Sequence, residues 1–182
     1  MQQAEAIRSL IFANNFSNLT ELLLFSAARH ENIIHEIQPS LQKGKFVLCD
    51  RFVLSTFVYQ GYIKNIDLKI IANIHKTINL DLYPDLTLIL DTTTATAITR
   101  IGNRHASLLN KIDNMPKEYH DNIIKGFRDY KKFYKAPTCV IAKGLSLYEI
   151  HKSIIADINK QLKLELLPLP EKVVQQLSLP KE

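Results

Sequence analysis

Two cysteines, five glycines and no tryptophan in 182 residues set the first limits on this chain. Cys49 and Cys139 are too few for a disulfide framework, and Cys49 falls in an apolar run expected to be a strand, so both read as buried thiols. No C-x-x-C pair occurs, and His30 and His35 stand five apart, off the i, i+4 spacing that would put two ligands on one helix face. No run approaches the roughly 20 apolar residues of a membrane span. The opening MQQAEAIRSL has neither the basic nor the apolar region of a secretory signal. These absences lead us to expect a cytoplasmic protein without membrane contact.

What is present is ordinary for a soluble domain: 46% hydrophobic and 23% charged residues, in a length that suits one core and a tail. The net charge of +5 favours anionic partners such as phosphates, nucleotides or nucleic acid. The aromatics do not interleave with the basic residues as a base-stacking platform requires, so nucleic acid is not expected.

Three continuous apolar runs, Phe46 to Cys49, Leu86 to Leu90 and Cys139 to Ala142, are separated by helical sequence, which predicts parallel strands with crossover helices. Helices are expected at Ala4 to Phe12, Leu54 to Tyr59, Asp67 to Ile78, Ala95 to Ile101, Tyr119 to Tyr134 and Leu147 to Leu162. A further long helix follows the loop Asn14 to Asn18, with Asn18 and Glu21 as a capping box, and Pro39 begins a short helix that Gly44 ends. On the long helix Leu23, Ala27, Ile34 and Ile37 are expected to face the core, while Glu21, Phe25 and Arg29 line another face. The helix from Asp67 should bury Ile70, Ile71, Ile74 and Ile78. The last segment, LELLPLPEKVVQQLSLPKE, holds three of the seven prolines and reads as an appended tail, 163–182, after a domain spanning 1–162.

The chemistry concentrates after the first apolar run. In an open α/β sheet, ligands bind beyond the carboxyl ends of the strands, which is where Asp50-Arg51 is expected. The arginine fork matches phosphate oxygens, and the neighbouring carboxylate can orient that fork or hold a hydrated magnesium ion. A structural ion pair is the competing reading of the dipeptide. Ser55 and Tyr59, and Thr56 and Gln60, fall four apart and direct hydrogen-bonding groups toward one opening. Phe25 and Arg29 repeat that spacing, fit to stack on a nucleobase and donate to its edge, or else a core aromatic with an arginine reaching outward.

The pieces TELLLFSAAR (Thr20 to Arg29), GKFVLCDRFVLSTFVYQG (Gly44 to Gly61) and YPDLTLILD (Tyr83 to Asp91) resemble the thymidylate kinases, nucleoside-monophosphate kinases of the P-loop type. The resemblance runs from about Glu5 to about Leu162. It implies a three-layer α/β fold, ATP and Mg2+ as co-reactants, dTMP as substrate and a homodimer. It makes Phe25 the ring that stacks on thymine, Arg29 the donor to a base carbonyl and Arg51 the phosphate holder. Asp50 is implied near the magnesium and phosphates, through water, with Ser55, Thr56, Tyr59 and Gln60 lining the base and sugar pocket. Arg100 and Arg104 are implied in the lid, where an arginine beside the transferring phosphoryl group is worth roughly 10³ or more in rate. The lid departs from the family pattern at Asn110-Lys111-Ile112-Asp113 and at Gly102.

A P-loop kinase needs G-x-x-x-x-G-K-[ST], whose backbone N–H groups cradle the ATP phosphates while its lysine and hydroxyl serve phosphate and magnesium. None of Gly44, Gly61, Gly102, Gly126 and Gly144 begins that pattern, and Pro39 occupies the first glycine position ahead of Gly44-Lys45. By resemblance, Met1 falls after the family's first two strands and its Arg-Glu-Pro-Gly segment. Three explanations stand: a longer gene product, a degenerate kinase remnant, or another strand, such as the leucine-rich tail, filling the gap. The first two are favoured together. The expectation is a thymidylate-kinase-family chain, inactive or weakly active as given, and the rival is a non-catalytic nucleotide-binding or dimerisation module.

Overall fold

The computed structural model describes residues 2–103 and 112–177. By its internal packing the chain divides into two compact units, Met1–Tyr83 with Ile101–Tyr134, and Pro84–Arg100 with Lys135–Glu182.

The first unit is helical. α1 (Gln2–Ala13) packs on α2 (Asn18–Asn32). α2 continues through a π-helical stretch, Ile33–Ile37, into α3 (Gln38–Gln42), which carries Pro39 in its first turn. Pro39 thus lies inside a continuous helical run, next to the π-helical stretch, and Gly44 closes the segment at φ +70°, a value open to glycine without steric cost. The N-cap of α2 is Ser17, whose hydroxyl accepts from the Thr20 N–H, so the box expected of Asn18 and Glu21 does not form. The buried face of α2 is also displaced by one residue. Glu21, Leu22 and Ser26 are enclosed, together with Ile33 beyond the helix end, whereas Leu23 and Ile34 face solvent.

α4 (Val53–Thr56) passes into a second π-helical stretch, Phe57–Ile63, and α5 (Leu68–Ile78) follows, with the Asp67 side chain accepting from the Lys69 N–H. Val53, Val58 and Ile71 are fully buried beside Ile11, Leu22 and Ile33, each such side chain contributing roughly 1.5–3 kcal/mol. On α5 the enclosed positions are Ile71, His75 and the following Asn79, while Ile70, expected inside, is exposed. α7 (Lys117–Arg128) packs against the second π stretch. Its Gly126 is required by closeness: a Cβ there would meet Val58 Cγ1 at 2.9 Å and the Tyr62 ring at 3.1 Å.

Phe46 to Cys49 is not a strand. Phe46 is 75% and Leu48 93% exposed, and Cys49, expected buried, is also exposed. A strand needs a neighbour for its N–H and C=O groups, and among the described residues this run has no ladder partner. Apolar composition alone does not supply one.

In the second unit, β1 (Thr87–Leu90) and β2 (Thr138–Ile141) pair in parallel, from Thr87 opposite Thr138 to Leu90 opposite Ile141, as two of the three expected strands should. α6 (Thr94–Gly102) follows β1. α8 (Leu147–Leu162) follows β2 and starts in a capping box, where the Ser146 hydroxyl accepts from the Glu149 N–H and the Glu149 carboxylate from the Ser146 N–H. The tail is tied to α8. Asn159 exchanges two hydrogen bonds of 2.8 Å with the Leu166 backbone, His151 Nε2 accepts from the Leu169 N–H, and α9 (Glu171–Leu177) packs on α8. Among the described residues no helix is long and apolar enough to cross a membrane.

Candidate functional site

The short path from Asp50 to Gln60 gathers most of the predicted side chains within the first unit. Asp50 and Arg51 stand at the end of the exposed apolar run, immediately before α4. Arg51 takes φ +64°, a left-handed conformation that costs a non-glycine residue roughly 1–2 kcal/mol. Such strain persists where surroundings over-determine it, and it gathers at ligand sites. Here the surroundings are explicit. Arg51 Nη1 donates to Tyr59 Oη at 3.0 Å, and the guanidinium lies 5.4 Å from that ring's centroid. Burial pulls the guanidinium's pKa down, but Tyr59, Asp50 and Asp113 more than offset this and hold it above the ordinary arginine value. The result is a cation fixed by one hydrogen bond and one ring.

Arg29 is fastened in the same way from α2. Its Nη2 donates to Thr56 Oγ1, and its guanidinium lies 5.7 Å from the Phe52 ring centroid. Burial pulls its pKa down to about 10, with Cys49 opposing, so it is still a cation at neutral pH. Behind Phe52 stands His75, edge-on at 6.0 Å, whose Nε2 lies 2.8 Å from the Leu82 carbonyl. A carbonyl only accepts, so Nε2 carries the proton. His75 Nδ1 and both amide atoms of the buried Asn79 have no hydrogen-bond partner among the described residues.

Phe25 is half-buried, its ring edge-on to Phe12 of α1 at 6.4 Å, so α1 sets its position. Consecutive residues of a helical segment point in different directions. Tyr59 accordingly turns to Arg51 while Gln60 turns to α2, where its Nε2 donates to Glu21 Oε1 at 3.0 Å. Thr56, Tyr59 and Gln60 are buried and Ser55 half-buried, so the four do not share one open face as their spacing suggested. Arg100 lies exposed in the last turn of α6, and Arg104 lies outside the described residues, as do Asn110 and Lys111. Among the described residues no three carboxylate, histidine or cysteine side chains cluster as a metal cage.

Glu21, Phe52 and Tyr119 join this cluster without having been expected in it. Glu21 lay on the Phe25 and Arg29 face at the same four-residue spacing, which was the available signal. Tyr119, on α7, is close enough to Tyr59 and Glu21 that both, after burial, raise its hydroxyl pKa.

The crystal structure of thymidylate kinase from Ehrlichia chaffeensis matches this chain with a TM-score of 0.63 at 31% identity, covering 84% of this chain and 71% of that one. The fold is therefore of the P-loop NTPase-like α/β class, in which the small parallel sheet with its helices belongs. A thymidylate kinase of Wolbachia pipientis subsp. Culex pipiens (strain wPip) is 34% identical over 168 residues, 91% of this chain and 78% of its own length. One of Orientia tsutsugamushi (strain Ikeda) is 33% identical over 168 residues, 90% of this chain and 77% of its own. The family model for thymidylate kinase matches residues 1–154. This chain belongs to the thymidylate kinase family.

Proposed function

We propose that the chain is a dTMP-binding member of its family, and that the reaction it serves is transfer of the γ-phosphoryl group of ATP to dTMP, giving dTDP and ADP. The observation that carries this reading is that two arginines are each fixed by a hydroxyl of the same helical segment, Arg29 by Thr56 and Arg51 by Tyr59. Arg51 would take the substrate phosphate and Arg29 a base carbonyl. Phe25 would stack on thymine, and Ser55, Thr56, Tyr59 and Gln60 would line the nucleoside. Asp50 is a single exposed carboxylate, a donor suited to a hydrated Mg2+ that arrives with nucleotide phosphates and not to a protein-only cage. When bound, that ion neutralises phosphate charge. Arg51 and Arg29 orient the substrate whether or not it is present. By family resemblance Arg100 and Arg104 would serve the lid.

Residues 1–182 contain no G-x-x-x-x-G-K-[ST] loop. We expect them, by themselves, to bind dTMP better than they turn it over. The second reading, a nucleotide-binding module without catalysis, draws on the same observation. A coupled ADP-release assay with dTMP and ATP separates the two readings when run beside dTMP titrations of the unaltered chain, Phe25→Ala, Arg29→Ala and Arg51→Ala. Binding lost in the variants with negligible turnover supports the module. Turnover at ordinary kinase rates supports the enzyme and means that ATP phosphates are held by some other means.

A further inference from the structure

Glu21 is a carboxylate only 5% exposed, in a chain whose other described acidic residues lie nearer the surface. Helix capping does not account for it, since Ser17 caps α2. Its Oε1 accepts from Gln60 Nε2 at 3.0 Å and from Lys64 Nζ at 2.7 Å, joining α2 to both ends of one π-helical turn. A buried carboxylate is costly unless paired and hydrogen-bonded, and here it is both.

The consequence for Gln60 is directional. A side-chain amide has one donor end and one acceptor end, and a carboxylate facing an ammonium only accepts. Glu21 therefore takes the NH2 end of Gln60. The carbonyl end is the one left for a ligand. One turn earlier on the same segment, Thr56 receives the Arg29 guanidinium, which can only donate. A fixed donor and a fixed acceptor on neighbouring turns complement thymine, whose edge offers the O4 acceptor beside the N3–H donor. Cytosine offers the reverse order.

We propose that Glu21 is a positioning residue that sets base specificity: through Gln60 it presents an acceptor that selects a pyrimidine carrying N3–H over one whose N3 is itself an acceptor. This rests on the dTMP-binding reading above. Lys64 serves the same end by keeping the carboxylate an acceptor.

Calorimetric titration of residues 1–182 with dTMP and with 5-methyl-dCMP tests it, because these ligands share sugar, phosphate and methyl group and differ only at the N3 and C4 edge. The unaltered chain should prefer dTMP. In Glu21→Gln the Gln60 amide is free to turn over, and the preference should fall about tenfold, the worth of one hydrogen bond of ordinary strength. Glu21→Gln combined with Gln60→Glu restores a fixed acceptor and should recover the preference. A merely structural Glu21 would weaken both ligands in proportion, and an unchanged ratio in folded Glu21→Gln overturns the proposal. If thermal melting shows that Glu21→Gln does not fold, Gln60→Leu removes the acceptor with the Glu21–Lys64 pair intact, and an unchanged preference there overturns it equally. Failure of the unaltered chain to bind dTMP overturns the underlying reading and this proposal together, whereas dTMP binding with an unchanged ratio overturns this proposal alone.

Discussion

Arg51 donates to the Tyr59 hydroxyl at 3.0 Å while its guanidinium stacks 5.4 Å from the centre of the same ring, so one residue both orients and shields the fork. Tyr59→Phe keeps the ring and removes the oxygen. The guanidinium then loses its orienting acceptor but not its packing, and dTMP affinity should fall about fivefold, or about 1 kcal/mol, within the range of a single hydrogen bond. Calorimetry on Tyr59→Phe reads this directly, and a melting temperature close to that of the unaltered chain would locate the loss in binding.

The left-handed backbone at Arg51 gives a prediction independent of ligand. Arg51→Ala and Arg51→Gly both delete the side chain, but only glycine occupies φ +64° without penalty. Chemical denaturation should find Arg51→Gly more stable than Arg51→Ala by about 1 kcal/mol. Both variants should fail to bind dTMP, which would mark the strain as serving the placement of the guanidinium.

His75 makes stability depend on pH. Burial lowers its pKa below 6.5, the Leu82 hydrogen bond and Asp81 oppose this, and the charge of Arg29 adds to the lowering. The folded state therefore resists a proton that the unfolded chain accepts. Below the unfolded value of 6.5 the unfolded state binds more protons, so stability falls as pH drops, and it is fully present above that value. Melting temperatures recorded from pH 7.5 down to 5.5 should decline. In His75→Gln, which keeps a donor for Leu82 without a titrating ring, that part of the decline should disappear.

Gly126→Ala weighs two effects of opposite sign. Alanine favours the helix by about 1 kcal/mol, but its Cβ would stand 2.9 Å from Val58 Cγ1, a stiff and fully buried group, and overpacking of this kind costs about 1–3 kcal/mol. The steric term should win, leaving the variant about 1 kcal/mol less stable by denaturation. Because Val58 adjoins Tyr59, dTMP affinity should fall with it.

Much of this molecule was legible because its signals are local. The helix from Leu147 to Leu162, the short helix at Pro39 ended by Gly44, and the strands around Leu88 and Val140 follow from periodicity, turn residues and branched apolar runs, whereas the Ser146 and Glu149 capping box was not anticipated. Phe46 to Cys49 carries the same strand signal without a ladder among the described residues, since a strand is a property of two paired segments and not of one. The one-residue displacement of the α2 core face has the same origin. Glu21 occupies a buried position where Gln60 and Lys64, some forty residues on, donate to it, and no periodicity count can anticipate that pairing. Residue types and spacing singled out Arg29, Arg51, Thr56 and Tyr59 as candidates, while the pairing of Arg29 with Thr56 and of Arg51 with Tyr59 became visible only in three dimensions.

The most direct measurement of the central claim is equilibrium binding of dTMP and of ATP with magnesium to residues 1–182, titrated separately under identical conditions. Saturable dTMP binding that Arg51→Ala abolishes is the expected result, with ATP binding far weaker. Absence of dTMP binding, or dTMP binding indifferent to Arg51→Ala, would contradict it.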